Sequence, residues 1–214
     1  MCAIVGSFDK DKLKELIELN CYRGNHSYSI SEYTPKSKSL FTTRGLGDFP
    51  FEILKELKEG KYYIAHTQAP TTDAKSTSNI HPHRFNDDYM LWHNGIIKES
   101  FVKKMQTQLN IAEKWDTALL NEWVYNNYDL GEVDGTFSCL RFDKGNLILF
   151  RNEISPMFID KDFNISSTKF KNSKPTPAGK ELYMDFNINS KSDIGVLVEM
   201  GEFKTKENPY FFLE

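Results

Sequence analysis

Residues 137–150 read FSCLRFDKGNLILF, two strand-like runs separated by Asp143–Lys144–Gly145. This is the clearest hairpin on the chain, and a hairpin forces its two strands to pair antiparallel. PMFIDKDFNISS repeats the pattern around Asp162. Any fold for this chain therefore has to house antiparallel sheet.

The other segments add strands and helices by turns. CAIVGSF is a short apolar run bounded by Gly6 and a charged stretch, and reads as a buried strand. DKLKELIEL places Leu13, Leu16 and Ile17 on one helical face with charges opposite. HSYSISEY, SLFTT, KYYIAHTQ and YMLWHNG read as strands, the last broken by Asn94–Gly95. FEILKELKEG, ended by Gly60, KESFVKKMQTQL and WDTALLNEWVYNNY read as helices, and Lys169–Lys180, with two prolines, as a loop. The order fits a layered α+β architecture.

At 214 residues the chain suits one domain, or two very small ones. A net charge of −3 gives no reason to expect nucleic acid or an anionic membrane as partner. IGVLVEM is far too short to span a bilayer, and no secretory signal is visible. Cys2, Cys21 and Cys139 form no CxxC pair and read as reduced thiols in a cytoplasmic setting.

Several residues could carry chemistry. Cys2 is small enough for an aminopeptidase to remove the Met1 before it, which gives Cys2 a free α-amine. That amine titrates near ~7.7–8.0, so nucleophile and base can share one residue. A buried small side chain in a strand is the alternative. In LWHNGIIKES, Asn94 and Gly95 offer a side-chain amide and a backbone N–H as two donors for an oxyanion, or else a plain Asn-Gly turn.

AHTQAPTT carries His66, Thr67, Gln68, Thr71 and Thr72, which can line a polar pocket or satisfy backbone groups around Pro70. Asp116 sits where a helix begins, as an N-cap or a ligand group. Arg23–Gly24 follows the first helix, with Gly24 a candidate helix cap. His81–Pro82–His83 hints at zinc, but no CxxC or HExxH accompanies it, so no metal site is expected.

Taken in order, these pieces form a pattern. Met-Cys before a strand is followed by YRG with a nearby serine, HT with threonines, HP, HNG, a DT opening a helix, DGTFS and RNEISP. That series, from roughly Cys2 to Ser167, resembles the class II glutamine amidotransferases, which are N-terminal-nucleophile hydrolases. The resemblance implies a four-layer αββα sandwich of two antiparallel sheets flanked by helices. It implies one domain over 2–200, with a tail over 201–214 packed on it or at a partner surface. Loosely, the chain is similar to stand-alone versions carried by bacteriophages.

The resemblance also assigns roles. Cys2 matches the nucleophile, Asn94 and Gly95 the oxyanion hole, and Asp116 the acid that holds the α-ammonium of glutamine. Arg23 matches the arginine supporting the nucleophile region, and His66, Thr67 and Thr71 fall on the glutamine-loop motif. The implied reaction releases ammonia through a γ-glutamyl thioester, with no cofactor, and passes the ammonia to a separate synthase partner or acceptor.

One departure bears on the substrate. Where the family loop reads HTRWAT this chain reads HTQAPT, so Gln68 replaces an arginine that pairs with the substrate carboxylate. Gln68 can donate hydrogen bonds but offers no charge. Either Arg44, Lys75 or Arg84 replaces that cation, or the substrate is a different amide. A non-catalytic binding module on the same scaffold is the third reading.

Overall fold

The segment Ala3–Ser7 is buried at all five positions, and a strand with no wet face needs cover on both sides. The computed structural model, which describes residues 2–69, 79–186 and 194–206, shows what covers it. In chain order the elements are β1 (Ala3–Ser7), α1 (Lys10–Asn20), β2 (Ser27–Thr34), β3 (Ser39–Leu46), β4 (Tyr62–Gln68), β5 (His83–Asn86) and β6 (Tyr89–Ile97). They continue with α2 (Glu99–Leu109), α3 (Asp116–Tyr125), β7 (Gly135–Asp143), β8 (Asn146–Arg151) and β9 (Phe158–Ile159). The last are β10 (Ile165–Ser166), β11 (Lys174–Pro175), β12 (Lys180–Phe186) and β13 (Gly195–Glu202).

Two sheets form. One runs in the order β11-β9-β10-β1-β4-β2-β3 and the other β13-β12-β8-β7-β6-β5. All their pairings are antiparallel. β1 lies inside the first sheet, with Val5 opposite Ser166 on one side and Ala65 on the other.

Side-chain alternation then sorts residues into layers. Ile4, Ile64, Trp92, Leu140 and Leu149 meet between the sheets. On the outer face of the first sheet, Val5, Tyr63 and Ala65 receive Leu13, Leu16 and Ile17 of α1. On the outer face of the second, Leu91, Cys139 and Phe150 receive Phe101 and Met105 of α2 and Leu119, Leu120 and Trp123 of α3. The result is a four-layer αββα sandwich, as expected. Full burial of a side chain such as Ile4 contributes about 1.5–3 kcal/mol, so the strand behind Cys2 is firmly anchored.

The hairpin expected around Gly145 is present, with Lys144 and Gly145 at φ 46° and 84°. β9 and β10 likewise pair around Asp162. Three expectations need correction. FEILKELKEG forms a 3-10 helix only over Phe51–Glu56. Pro50 in front and Gly60 behind leave too little chain for a stable α-helix. The stretch 169–180 is not all loop, since Lys174–Pro175 adds a short strand beside β9.

Asn94–Gly95 does not break its strand, because β6 runs unbroken from Tyr89 to Ile97. Of the tail over 201–214, Phe203 stacks on Phe137 at 5.8 Å and Thr205 donates to Glu153 at 3.2 Å. Its residues 207–214 lie outside those described.

Candidate active site

Cys2 immediately precedes β1, and alternation from Ile4 turns its side chain toward the layer between the sheets. Its thiol is free and buried, and donates to the Ala69 carbonyl at 3.6 Å. Burial pushes this thiol up to about 11, so near neutrality it carries its proton. Arg23, on the 3-10 turn after α1, donates from Nε to the Cys2 carbonyl at 2.9 Å.

Gly24 is in extended backbone and does not close the helix in a left-handed cap. It is needed for space: a Cβ there would lie 2.4 Å from Ala69 N and from Gln68 C. The YRG segment therefore packs directly on the end of β4, next to Cys2.

Across the inter-sheet layer, Asn94 sits on the inner face of β6 beside Trp92. Its amide donates to Ser167 Oγ at 3.4 Å. Ser167 in turn accepts from the Ile4 N–H at 3.0 Å, and its own N–H donates to the Ile4 carbonyl at 3.0 Å. The two sheets are thus stitched together two residues from Cys2.

Gly95 is positioned by its missing side chain, since a Cβ would fall 1.9 Å from the Thr136 carbonyl oxygen. It pairs with Phe137, whose N–H and C=O are both engaged on the opposite side, by Asn152. In an antiparallel ladder such a pair exchanges no hydrogen bonds, so the Gly95 N–H points away from β7. On that far side β5 reaches only as far as Leu91, and among the described residues no strand pairs with Gly95 there.

Asp116 is the first residue of α3, with Trp115 as its cap, one step later than an N-cap position. Its carboxylate accepts from Thr117 N at 2.8 Å and from Ile97 N at 3.3 Å, tying the helix start to the end of β6. Thr117 Oγ1 lies 3.1 Å from both His81 Nε2 and His93 Nδ1. His81 stacks on His66 with ring centroids 4.0 Å apart, and His66 Nε2 lies 3.4 Å from the His93 carbonyl oxygen.

Burial lowers the basicity of these rings. His66 is brought down to about 3 and His83 to about 4. His81 is held well below its ordinary value, by burial first and then by its imidazole neighbours. The HPH segment is therefore part of a packed neutral cluster. Among the described residues no group of three His, Cys, Asp or Glu is arranged to hold a metal.

Gln68 belongs to the same cluster. Its amide oxygen accepts from Ser27 at 3.2 Å and faces His81 Nδ1 at 3.2 Å, while its NH2 donates to the Asn79 carbonyl at 2.9 Å. Of the cations considered as substitutes, Arg44 donates to the Pro82 carbonyl and Arg84 pairs with Asp87. Thr71, Thr72 and Lys75 lie outside the described residues.

Cys2, Arg23, His66, Gln68, Asn94, Gly95 and Asp116 thus join one connected group. Sequence reasoning missed Ser167, Thr117 and the structural part of His81.

No family model matches the chain. It is 32% identical over 108 residues to the glutamine--fructose-6-phosphate aminotransferase (isomerizing) of Helicobacter pylori, covering 46% of this chain and 17% of that protein. The enzyme of the same name from Idiomarina loihiensis is 31% identical over 104 residues, with the same coverage. The match therefore spans about one sixth of the length of these relatives.

Among solved structures, the glutamine phosphoribosylpyrophosphate amidotransferase of B. subtilis superposes with a TM-score of 0.64 at 15% identity, over 94% of this chain and 50% of that one. A structure described as the allosteric regulatory enzyme of purine biosynthesis gives 0.61 at 15% identity, over 86% and 47%. At that identity the likeness concerns the fold. Part of the chain is thus similar in sequence to enzymes named glutamine--fructose-6-phosphate aminotransferase, and nearly all of it is similar in fold to a glutamine amidotransferase.

Proposed function

We propose that this chain hydrolyses the side-chain amide of glutamine, with Cys2 as nucleophile once Met1 has been removed. The supporting observation is the bridge from Ile4 through Ser167 to Asn94, which ties an amide donor to β1 two residues from Cys2 and next to the Gly95 N–H, which points away from β7. A thiol that burial holds protonated needs a base at hand, and the α-amine of a processed Cys2 supplies it.

In this reading the amine takes the thiol proton as Sγ attacks the amide carbon. Asn94 Nδ2 and Gly95 N–H hold the oxyanion. The protonated amine then gives its proton to the departing nitrogen, which leaves as ammonia. A γ-glutamyl thioester remains on Cys2, and water hydrolyses it to glutamate. Each step uses only groups of this chain, its substrate and water.

Arg23 steadies the Cys2 carbonyl, and Asp116, with a partly exposed carboxylate, receives the substrate ammonium. His66 lies on the β4 side of the site, and Thr71, outside the described residues, is assigned a substrate-binding role from its sequence position alone. The curated relatives are named aminotransferases, so the ammonia is assigned to a separate synthase partner or another acceptor. Residues 2–200 act as one domain.

The test is ammonia release from L-glutamine together with intact mass after treatment with an electrophilic glutamine analogue. The expected product is one adduct on a chain lacking Met1. No adduct and no ammonia would refute the reading.

Gln68 favours a second possibility. Its amide is committed to Ser27, His81 and Asn79, so it does not stand in for the carboxylate-binding arginine. A different γ-glutamyl or other amide substrate follows if a panel of amides gives a higher kcat/KM than glutamine.

A further inference from the structure

Ser166 and Ser167 are adjacent yet serve opposite faces of the first sheet. Ser166 accepts from the Asn20 side chain of α1 at 2.9 Å. Ser167, fully buried, turns inward to the layer that holds Asn94.

The hydrogen-bond inventory of a hydroxyl is one donor and two acceptor positions. For Ser167 all three are assigned. Oγ accepts from Ile4 N at 3.0 Å and from Asn94 Nδ2 at 3.4 Å, and its own hydrogen points to the Ile4 carbonyl at 3.4 Å. With its single hydrogen spent on Ile4, Ser167 can only accept from Asn94.

The Asn94 amide must therefore present its NH2 group, not its oxygen, toward β1. An asparagine amide has two nearly isosteric orientations, and only the hydrogen-bond network chooses between them. One N–H goes to Ser167, which leaves the second for a ligand.

We propose that Ser167 is a positioning residue for the reaction, acting through Asn94 by fixing which end of its amide faces Cys2. This rests on the reading of Asn94 as oxyanion donor. Without the hydroxyl, the amide is free to flip and place a carbonyl oxygen where negative charge develops. Substrate binding is not affected, because among the described residues Ser167 hydrogen-bonds only to Ile4 and Asn94.

The test is a double-mutant cycle on ammonia release by the full chain, with melting temperature as the folding control. Ser167→Ala is expected to lower kcat about tenfold with KM within about threefold of the parent, less than the full loss of one oxyanion donor. In an Asn94→Ala background the same change is expected to alter kcat less than about twofold. Ser167→Cys keeps the shape of the side chain, slightly enlarged, but is a poor acceptor, and carries the same prediction if the alanine variant does not fold.

Equal losses with and without Asn94 overturn the proposal, as does a folded Ser167 variant with parental kcat. A parent that releases no ammonia refutes the glutaminase reading and this inference with it. An active parent with multiplicative losses refutes the role of Ser167 alone.

Discussion

Acidification is the perturbation to which this site is most exposed. His66, His81 and His83 lie in one packed cluster, and burial holds each of them short of its ordinary affinity for protons. When the folded value is depressed, the unfolded chain takes up protons first as the pH falls. Stability is then intact above about pH 6.5 and is lost below it.

For His66, with a folded value of about 3, protonation of the unfolded chain at pH 5 removes about 2 kcal/mol. The half-buried His83 contributes about 1 kcal/mol after allowance for solvent, and His81 acts in the same direction. These losses fall together and take a large share of the stability of a typical domain. The protein is therefore expected to approach its unfolding midpoint near pH 5 without added denaturant.

Urea titrations at pH 8, 7, 6 and 5, followed by tryptophan fluorescence, measure the slope. His66→Gln should flatten it by about 1.4 kcal/mol per pH unit below 6.5. Stability at pH 5 within about 1 kcal/mol of its value at pH 8 would mean that these rings are protonated in the fold, and would sink the argument.

Two other substitutions probe the same region. Gly95→Ala places a methyl against the Thr136 carbonyl and should destabilise by about 2–4 kcal/mol through strain and lost ladder bonds. Gly47→Ala, at φ +87° with open space around it, should cost only about 1 kcal/mol; equal melting temperatures for the two variants would contradict the steric account. Gln68→Leu strips partners from Ser27, His81 and the Asn79 carbonyl and should lower stability by about 1–3 kcal/mol; a leucine variant as resistant to urea as the parent would show that those contacts are dispensable.

What could be read from the sequence depended on how local the cause was. The turn at Lys144–Gly145 is specified by residues within it, and it was legible. Asn94–Gly95 has the same local signature but lies in mid-strand. There the glycine answers the Thr136 backbone, 41 positions away, and its own neighbours gave no sign of it. Cys2, Asp116 and Arg23 could be singled out by their motifs, whereas Ser167 could not. Its partners, Ile4 and Asn94, lie 163 and 73 residues away, and only the pairing of β10 with β1 brings them together. Gln68 was noticed as a departure, but its inward commitments became visible only with His81 and Asn79 in place.

The position of β1 inside its sheet has a temporal side. Its first neighbour, β4, emerges early in synthesis, but the second, β10, follows only after about 100 further residues. At ~5–20 residues per second that is a delay of roughly 5–20 s. Throughout that interval β1 is enclosed on one edge only. Closure of the layer around Cys2 is thereby ordered in time by strand position alone.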